Sequence, residues 1–147
     1  MAFSVDRLMR AWREPPADDA AAEAAFRELY ADPVVVNGVP LSVADLVARA
    51  RSLHRTYAAA EWEILDVLES AGQVAVAFRM RGRQAGPLPT SLGTVAPTGR
   101  AVELRVIDIL TITDGRVSGV WMVADELGLL TQLGAVALVE GAGSPVP

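Results

Sequence analysis

Asp108 is the residue whose surroundings in the sequence are the least usual. The segment Ala101–Thr113 alternates like a strand, and its even positions are Val102, Leu104, Val106, Asp108, Leu110 and Ile112. A carboxylate in an apolar row is costly unless it is paired, and desolvation raises its pKa toward values useful for moving a proton. We expect Asp108 to face an apolar cavity. The alternative is that the odd row, with Ile107 and Ile109, is buried and that Asp108 is solvated.

Asp125 is the second candidate for acid or base chemistry. It ends the odd row of the next predicted strand, which contains Val117, Gly119, Trp121 and Val123. An aspartate at this point could instead cap the helix predicted over residues 127–133. The spacing leaves both roles open.

Basic side chains could contact a substrate. His54, the only histidine, shares a helical stripe with Val47 and Tyr57, where it could move a proton, donate to a substrate oxygen or be an ordinary core or rim residue. Arg79 and Arg81 share one face of a predicted strand. They could bind a substrate carboxylate, pair with acidic residues or lie on a solvated sheet edge.

Aromatic side chains could form the walls of a cavity, although most aromatic residues belong to the core of their protein. The candidates for substrate contact are Tyr30, Tyr57, Trp62 and Trp121. With one histidine and no cysteine, a transition-metal site would need mostly carboxylates, and their spacing does not assemble one. We therefore predict no metal.

Composition and charge narrow the class of protein. The chain has 147 residues, of which 52% are hydrophobic, enough for one domain with a real core. A net charge of −5 disfavours binding to nucleic acid or to anionic lipid. Residues 1–10 do not resemble a secretory signal, and the longest uncharged apolar stretch is too short for a membrane span. We expect a cytoplasmic domain over residues 1–140 and a flexible tail over residues 141–147.

The predicted elements are helices first and strands later. Apolar spacing predicts a helix from Val5 to Trp12, a second after the capping residues Asp18 and Asp19, and a third after Ser42. A short strand at residues 34–36 precedes the third helix, and longer strands are predicted at 61–69, 73–83, Ala101–Thr113 and Arg116–Ala124. The uncharged residues 84–99 are expected to form a flap. This order indicates an α+β protein.

The C-terminal half, from about residue 70 to 135, carries motifs that resemble a known family. They are Ala96-Pro97-Thr98-Gly99-Arg100, Ile107-Asp108-Ile109, Asp114-Gly115-Arg116-Val117, Trp121, and Asp125 followed by Gly128-Leu129-Leu130 and Gln132-Leu133-Gly134. This pattern resembles the SnoaL-like polyketide cyclases of the nuclear transport factor two-like superfamily. The resemblance implies a cone-shaped barrel of curved antiparallel sheet, with three N-terminal helices packed on it. It also implies a homodimer formed through the sheet and no cofactor.

The resemblance implies a function as well. Such cyclases close a ring in an apolar secondary metabolite, for example in antibiotic biosynthesis, by an intramolecular aldol step, and Asp125 matches the base that removes the acidic C–H proton. Asp108 would then be the partner acid or orienting carboxylate. Relatives of the limonene-epoxide-hydrolase type use Arg and Asp two residues apart, but Arg79 is followed by Arg81. Epoxide opening through Asp108 and Asp125 stays open, as does non-catalytic ligand binding. A cyclase could also fold its substrate as a template for a pericyclic closure, in which case neither aspartate transfers a proton.

Overall fold

Four helices and eight strands form the part of the chain that this computed structural model describes, residues 2–141. The helices are α1 (Val5–Arg13), α2 (Asp19–Arg27), α3 (Val43–Thr56) and α4 (Glu126–Gln132). The strands are β1 (Tyr30–Val36), β2 (Val39–Leu41), β3 (Tyr57–Ser70), β4 (Gln73–Gln84), β5 (Leu88–Thr90), β6 (Gly93–Val95), β7 (Ala101–Thr113) and β8 (Arg116–Ala124). The predicted α+β class is confirmed. Apart from Gly141, the predicted tail lies outside the described residues.

Local side-chain chemistry sets the starts of the helices. Ser4 and Asp18 each accept a hydrogen bond from a backbone N–H three residues later, so they satisfy free donors at the starts of α1 and α2. At α3, Ser42 and Asp45 form a reciprocal capping box. The longest described helix has 14 residues, and none of the described helices is long and apolar enough to cross a membrane.

Six strands form one curved sheet in the order β2, β1, β8, β7, β4 and β3. Neighbouring strands are antiparallel except β1 and β8, which run parallel, with Tyr30 opposite Val117 and Val36 opposite Val120. The predicted curved antiparallel sheet thus includes one parallel pair. One edge of β8 pairs with its hairpin partner β7, and the other edge pairs with β1. Since α3 and several strands separate β1 from β8 in the sequence, these two strands can run parallel.

The core lies between the N-terminal helices and one face of the sheet. Phe26 of α2, Ala50 of α3 and Val117 of β8 are each completely buried in it. A smaller cluster joins Leu129 of α4 and Leu88 of β5 to Val102 of β7. The helices thus cover one face of the sheet, and the opposite face keeps large apolar side chains exposed.

Residues 84–99, which were predicted to form a flap, contain the short hairpin of β5 and β6. The fully buried Gln84 holds this segment: its amide donates to the carbonyl oxygens of Gly86 and Ala96, and its oxygen accepts from Thr98. A Cβ at Gly86 would collide with the backbone of Arg55, so the segment packs directly on the end of α3. The hairpin is therefore a fixed wall of the fold.

Candidate functional site

A cavity of about 570 Å³ lies between α1, α3 and one face of the sheet, which we call the inner face. The β5 hairpin contributes Leu88 and Pro89 to its wall. The lining is predominantly apolar, and among the described residues that form it only Arg49 and Asp108 carry a formal charge. The volume is within the range of protein sites for small organic ligands.

Asp108 lies on the inner face, at the centre of β7. Leu104, Val106 and Leu110 line the cavity on either side of it, so the predicted orientation of the even row of β7 is confirmed. The Oδ1 atom of Asp108 is buried and has no hydrogen-bond partner among the described residues. Burial among apolar groups raises the pKa of this carboxyl to about 6, because water no longer stabilises the charged form.

Tyr30 presents a second polar group to the same cavity. The indole N–H of Trp12 donates a hydrogen bond to the Tyr30 hydroxyl oxygen over 2.8 Å, and Phe26 stacks on the Tyr30 ring. Burial raises the pKa of Tyr30, and the nearby charge of Asp108 adds to this effect. No described residue accepts the hydroxyl hydrogen of Tyr30. This group can therefore donate to a ligand oxygen close to Asp108.

Tyr57 and Trp62 also lie where the sequence analysis expected substrate contacts, in the wall of the cavity. Tyr57 follows the last residue of α3 and is the first residue of β3. Burial raises the pKa of its hydroxyl to about 12. Trp62 stacks on Phe78 with 5.8 Å between ring centroids. Three strands and one helix thus supply the aromatic walls, because Trp12 of α1 and Tyr30 of β1 complete the set.

Asp125, which the resemblance implied as the base, is not among the residues that line the cavity, and of its two possible roles the structure shows the helix cap. The side chain caps α4 by accepting a hydrogen bond from the Gly128 N–H over 3.0 Å. It also pairs with the exposed Arg105 at 3.3 Å. The bond to Gly128 and the pair with Arg105 both lower the pKa of Asp125, which keeps it ionised at the surface.

Trp121 was expected in the cavity wall, but it lies on the opposite, outer face of the sheet and is 63% exposed. A bulge in β8 is the reason. Ile112 pairs with Val117 but Thr111 pairs with Gly119, so Ser118 is an extra residue in this strand. Beyond the bulge the even positions Val120 and Met122 face the cavity and the odd positions face outward.

Arg79 and His54 also lie outside the cavity lining. Arg79 is on the outer face of β4, where it forms an ion pair with Glu63 of β3 at 2.7 Å. The arginine on which the epoxide-hydrolase alternative depends is thus turned away from the cavity. His54 is exposed, and its Nε2 donates to the backbone carbonyl of Trp12 over 2.9 Å. It therefore supports the segment that carries Trp12.

The lining residues Trp12, Arg49 and Ser52 were not predicted as site residues. Arg49 and Ser52 lie three residues apart on α3, beside the apolar stripe that packs on the core, and both line the cavity. The position of these two polar residues at the border of the apolar stripe could have indicated that they line a cavity. Within residues 2–141, no group of three or more His, Cys, Asp or Glu side chains is arranged to hold a metal ion.

Comparisons with known proteins agree with this geometry. A sequence model of the SnoaL-like polyketide cyclase family matches residues 6–133. A search of curated proteins finds no match. Among solved structures, TsrD from Streptomyces laurentii aligns with a TM-score of 0.71 and 22% identity, covering 91% of this chain and 99% of that protein. A SnoaL-like polyketide cyclase from Agrobacterium tumefaciens aligns with a TM-score of 0.70 and 16% identity, covering 91% and 100%.

Proposed function

Since the chain belongs to the SnoaL-like polyketide cyclase family, we propose that it closes a ring or isomerises an apolar ketone-bearing substrate, with Asp108 as the group that moves the proton. One observation carries this proposal: a buried carboxyl without a partner lies in an apolar cavity that Tyr30 also lines, and the hydroxyl hydrogen of Tyr30 has no acceptor among the described residues. Unpaired buried polar groups are rare in native proteins, and a catalytic role is one of the reasons for which they are retained.

The proposed reaction needs no oxidant and no cofactor. The ionised carboxyl of Asp108 removes a proton from a carbon next to a substrate carbonyl, which leaves an enolate. Tyr30 donates its hydroxyl hydrogen to the enolate oxygen, and Trp12 fixes the orientation of Tyr30. The enolate carbon then attacks a second carbonyl of the same molecule, a C–C bond forms, and the new alkoxide takes the proton back from Asp108. Substrate and product are isomers.

The base assigned here differs from the one that the sequence resemblance implied. Asp125 matches the family position, but its carboxylate is occupied by Gly128 and Arg105 at the surface. Asp108 has the features that proton transfer requires, since desolvation brings its pKa to about 6, close to neutral pH. The apolar walls add a second contribution, because they hold a flexible chain with its two reacting carbons close together.

Hydrogen exchange on a simple ketone tests this proposal without knowledge of the natural substrate. β-Tetralone is a small bicyclic ketone with acidic C–H bonds beside its carbonyl, and its size suits the cavity. We expect the protein in D₂O to accelerate deuterium incorporation at these carbons well above the rate in buffer, measured by proton NMR. If β-tetralone binds but its exchange rate equals that in buffer, the chain is a ligand-binding module and the enzymatic proposal is wrong.

We also propose that the chain is a homodimer in which the outer faces of two sheets pack together. Ile107 pairs with Val123 and Ile109 with Trp121 across β7 and β8, so these four apolar side chains are contiguous. Val123 is 75% and Trp121 63% exposed. A patch of this kind is unusual on a monomer and can be buried against an identical patch by two-fold symmetry. The family resemblance points to the same surface.

Light scattering after gel filtration measures the predicted association. The unmodified protein is expected at twice the 15.5 kDa mass of the chain. Trp121→Arg places a charge in the centre of the patch and is expected to give the monomer mass. Leu92→Arg is the matched control, because Leu92 is 79% exposed on the turn between β5 and β6 and should leave the dimer intact. A monomer mass for the unmodified protein contradicts the proposal.

A further inference from the structure

Arg49 is the cation that the proposed reaction does not use. It lines the cavity from α3, and Ser52 lines the cavity one turn later on the same helix. Asp108, the other charged lining residue, belongs to β7 on the sheet side. Arg49 is exposed and Ser52 is half-buried. The cavity thus has a positive group where its helical wall meets solvent and an acidic group on its sheet wall.

The side chains of Arg49 and Ser52 are available to a ligand. No hydrogen bond or ion pair joins either side chain to the rest of the described chain. The charge of Arg49 contributes to lowering the pKa of Asp45, one turn earlier on α3, but the Asp45 carboxylate makes its hydrogen bond with the Ser42 N–H at 3.0 Å. The neighbouring Arg51 differs, since its guanidinium donates to the Pro16 carbonyl and pairs with Asp19.

We propose that Arg49 and Ser52 form a subsite for an anionic group of the ligand, most simply a carboxylate, at the helical wall of the cavity. The planar guanidinium can donate two parallel hydrogen bonds to a carboxylate, and the Ser52 hydroxyl can add a third donor. The ligand class is therefore an apolar ketone that carries one acidic group. This inference rests on the proposed function, because it describes the substrate of the same cavity.

The two charges also determine the orientation of such a ligand. A carboxylate beside ionised Asp108 would be repelled, whereas beside Arg49 it is attracted. The acidic group of the ligand thus lies at the helical wall, and the apolar body with its ketone extends toward Asp108 and Tyr30. Arg49 would select the orientation in which the reacting carbon meets the base.

Binding of two matched probes tests the subsite. Naphthylacetic acid and its uncharged amide have nearly the same shape, and only the acid is negatively charged at about pH 7.5. By calorimetry at low ionic strength, we expect the acid to bind about threefold to tenfold more tightly than the amide, the range of a partly exposed charge-assisted contact. The net charge of −5 acts against this preference, so it cannot arise from general attraction.

Two variants test whether Arg49 causes the tighter binding of the acid. Arg49→Gln is expected to bind acid and amide equally, with unchanged affinity for the amide. Arg55→Gln is the control, because Arg55 is exposed on the same helix, does not line the cavity, and should keep the preference of the unmodified protein. Equal affinities for the two probes in the unmodified protein overturn the subsite alone. Failure of both probes to bind overturns the ligand cavity and with it the proposed function.

Discussion

The Asp108→Asn variant is expected to lose at least about 100-fold of the rate of deuterium exchange into β-tetralone, the lower end of what a positioned acid or base contributes. Asparagine has the shape of the aspartic acid side chain but cannot accept the proton. In the unmodified protein, the exchange rate should rise with pH and level off above about 6, because the carboxylate is the active form. The variant should lack this rise.

Asp125→Asn is the matched control for this experiment. Asparagine caps helices as well as aspartate does, so α4 should remain intact. Because Asp125 lies outside the cavity lining, the control is expected to exchange β-tetralone at the rate of the unmodified protein. If exchange is lost in Asp125→Asn and kept in Asp108→Asn, the base is the one that the family resemblance implies, and our assignment is wrong.

The same Asp108→Asn substitution is expected to stabilise the fold at neutral pH. The carboxyl has a pKa of about 6 in the folded chain, against an ordinary value of 3.8 for an aspartate in water. Between these values the folded state binds more protons than the unfolded state, so the contribution of Asp108 to stability falls as the pH rises. The total cost above about pH 6 is on the order of 3 kcal/mol, from the free energy equivalent of each pKa unit.

Urea unfolding at about pH 4 and about pH 7.5 measures this effect. The free energy of unfolding of Asp108→Asn should be close to that of the unmodified protein at the lower pH and higher by up to about 3 kcal/mol at the higher pH. Asp125→Asn is expected to show a difference of the opposite sign, because the pKa of Asp125 is lowered in the folded chain. Equal stability of Asp108→Asn and the unmodified protein at both pH values would mean that Asp108 is well solvated.

A substantial part of the fold could be predicted because it depends on neighbouring residues. The bounds of β7 and β8 agree with the alternating patterns, and Ser42 with Asp45 marked the start of α3. The Asp114-Gly115 turn gave the hairpin between the two long strands. The position of Asp108 on the inner face followed from the same alternation, because five apolar residues on its face had to be buried together.

The prediction for the odd row of β8, which contains Trp121 and leads to Asp125, was wrong because the alternating pattern does not show the bulge in this strand. A two-residue hairpin continued without interruption would place Asp108 opposite Trp121, on one face. The extra residue Ser118, whose hydroxyl lies 2.8 Å from that of Thr113, shifts the register so that Asp108 pairs with Met122. Every later odd residue of β8 then turns outward, including Trp121.

The α+β class, the strand that carries Asp108 and the apolar character of its surroundings follow from local patterns, since period and turn chemistry act over a few residues. Which side chains line the cavity together depends on how the elements pack. Trp12 contacts Tyr30 from a different element, Arg49 and Asp108 line one cavity from a helix and a strand, and β1 runs parallel to β8. These arrangements bring together residues far apart in the chain, and their geometry depends on how whole elements pack and on a one-residue shift in register.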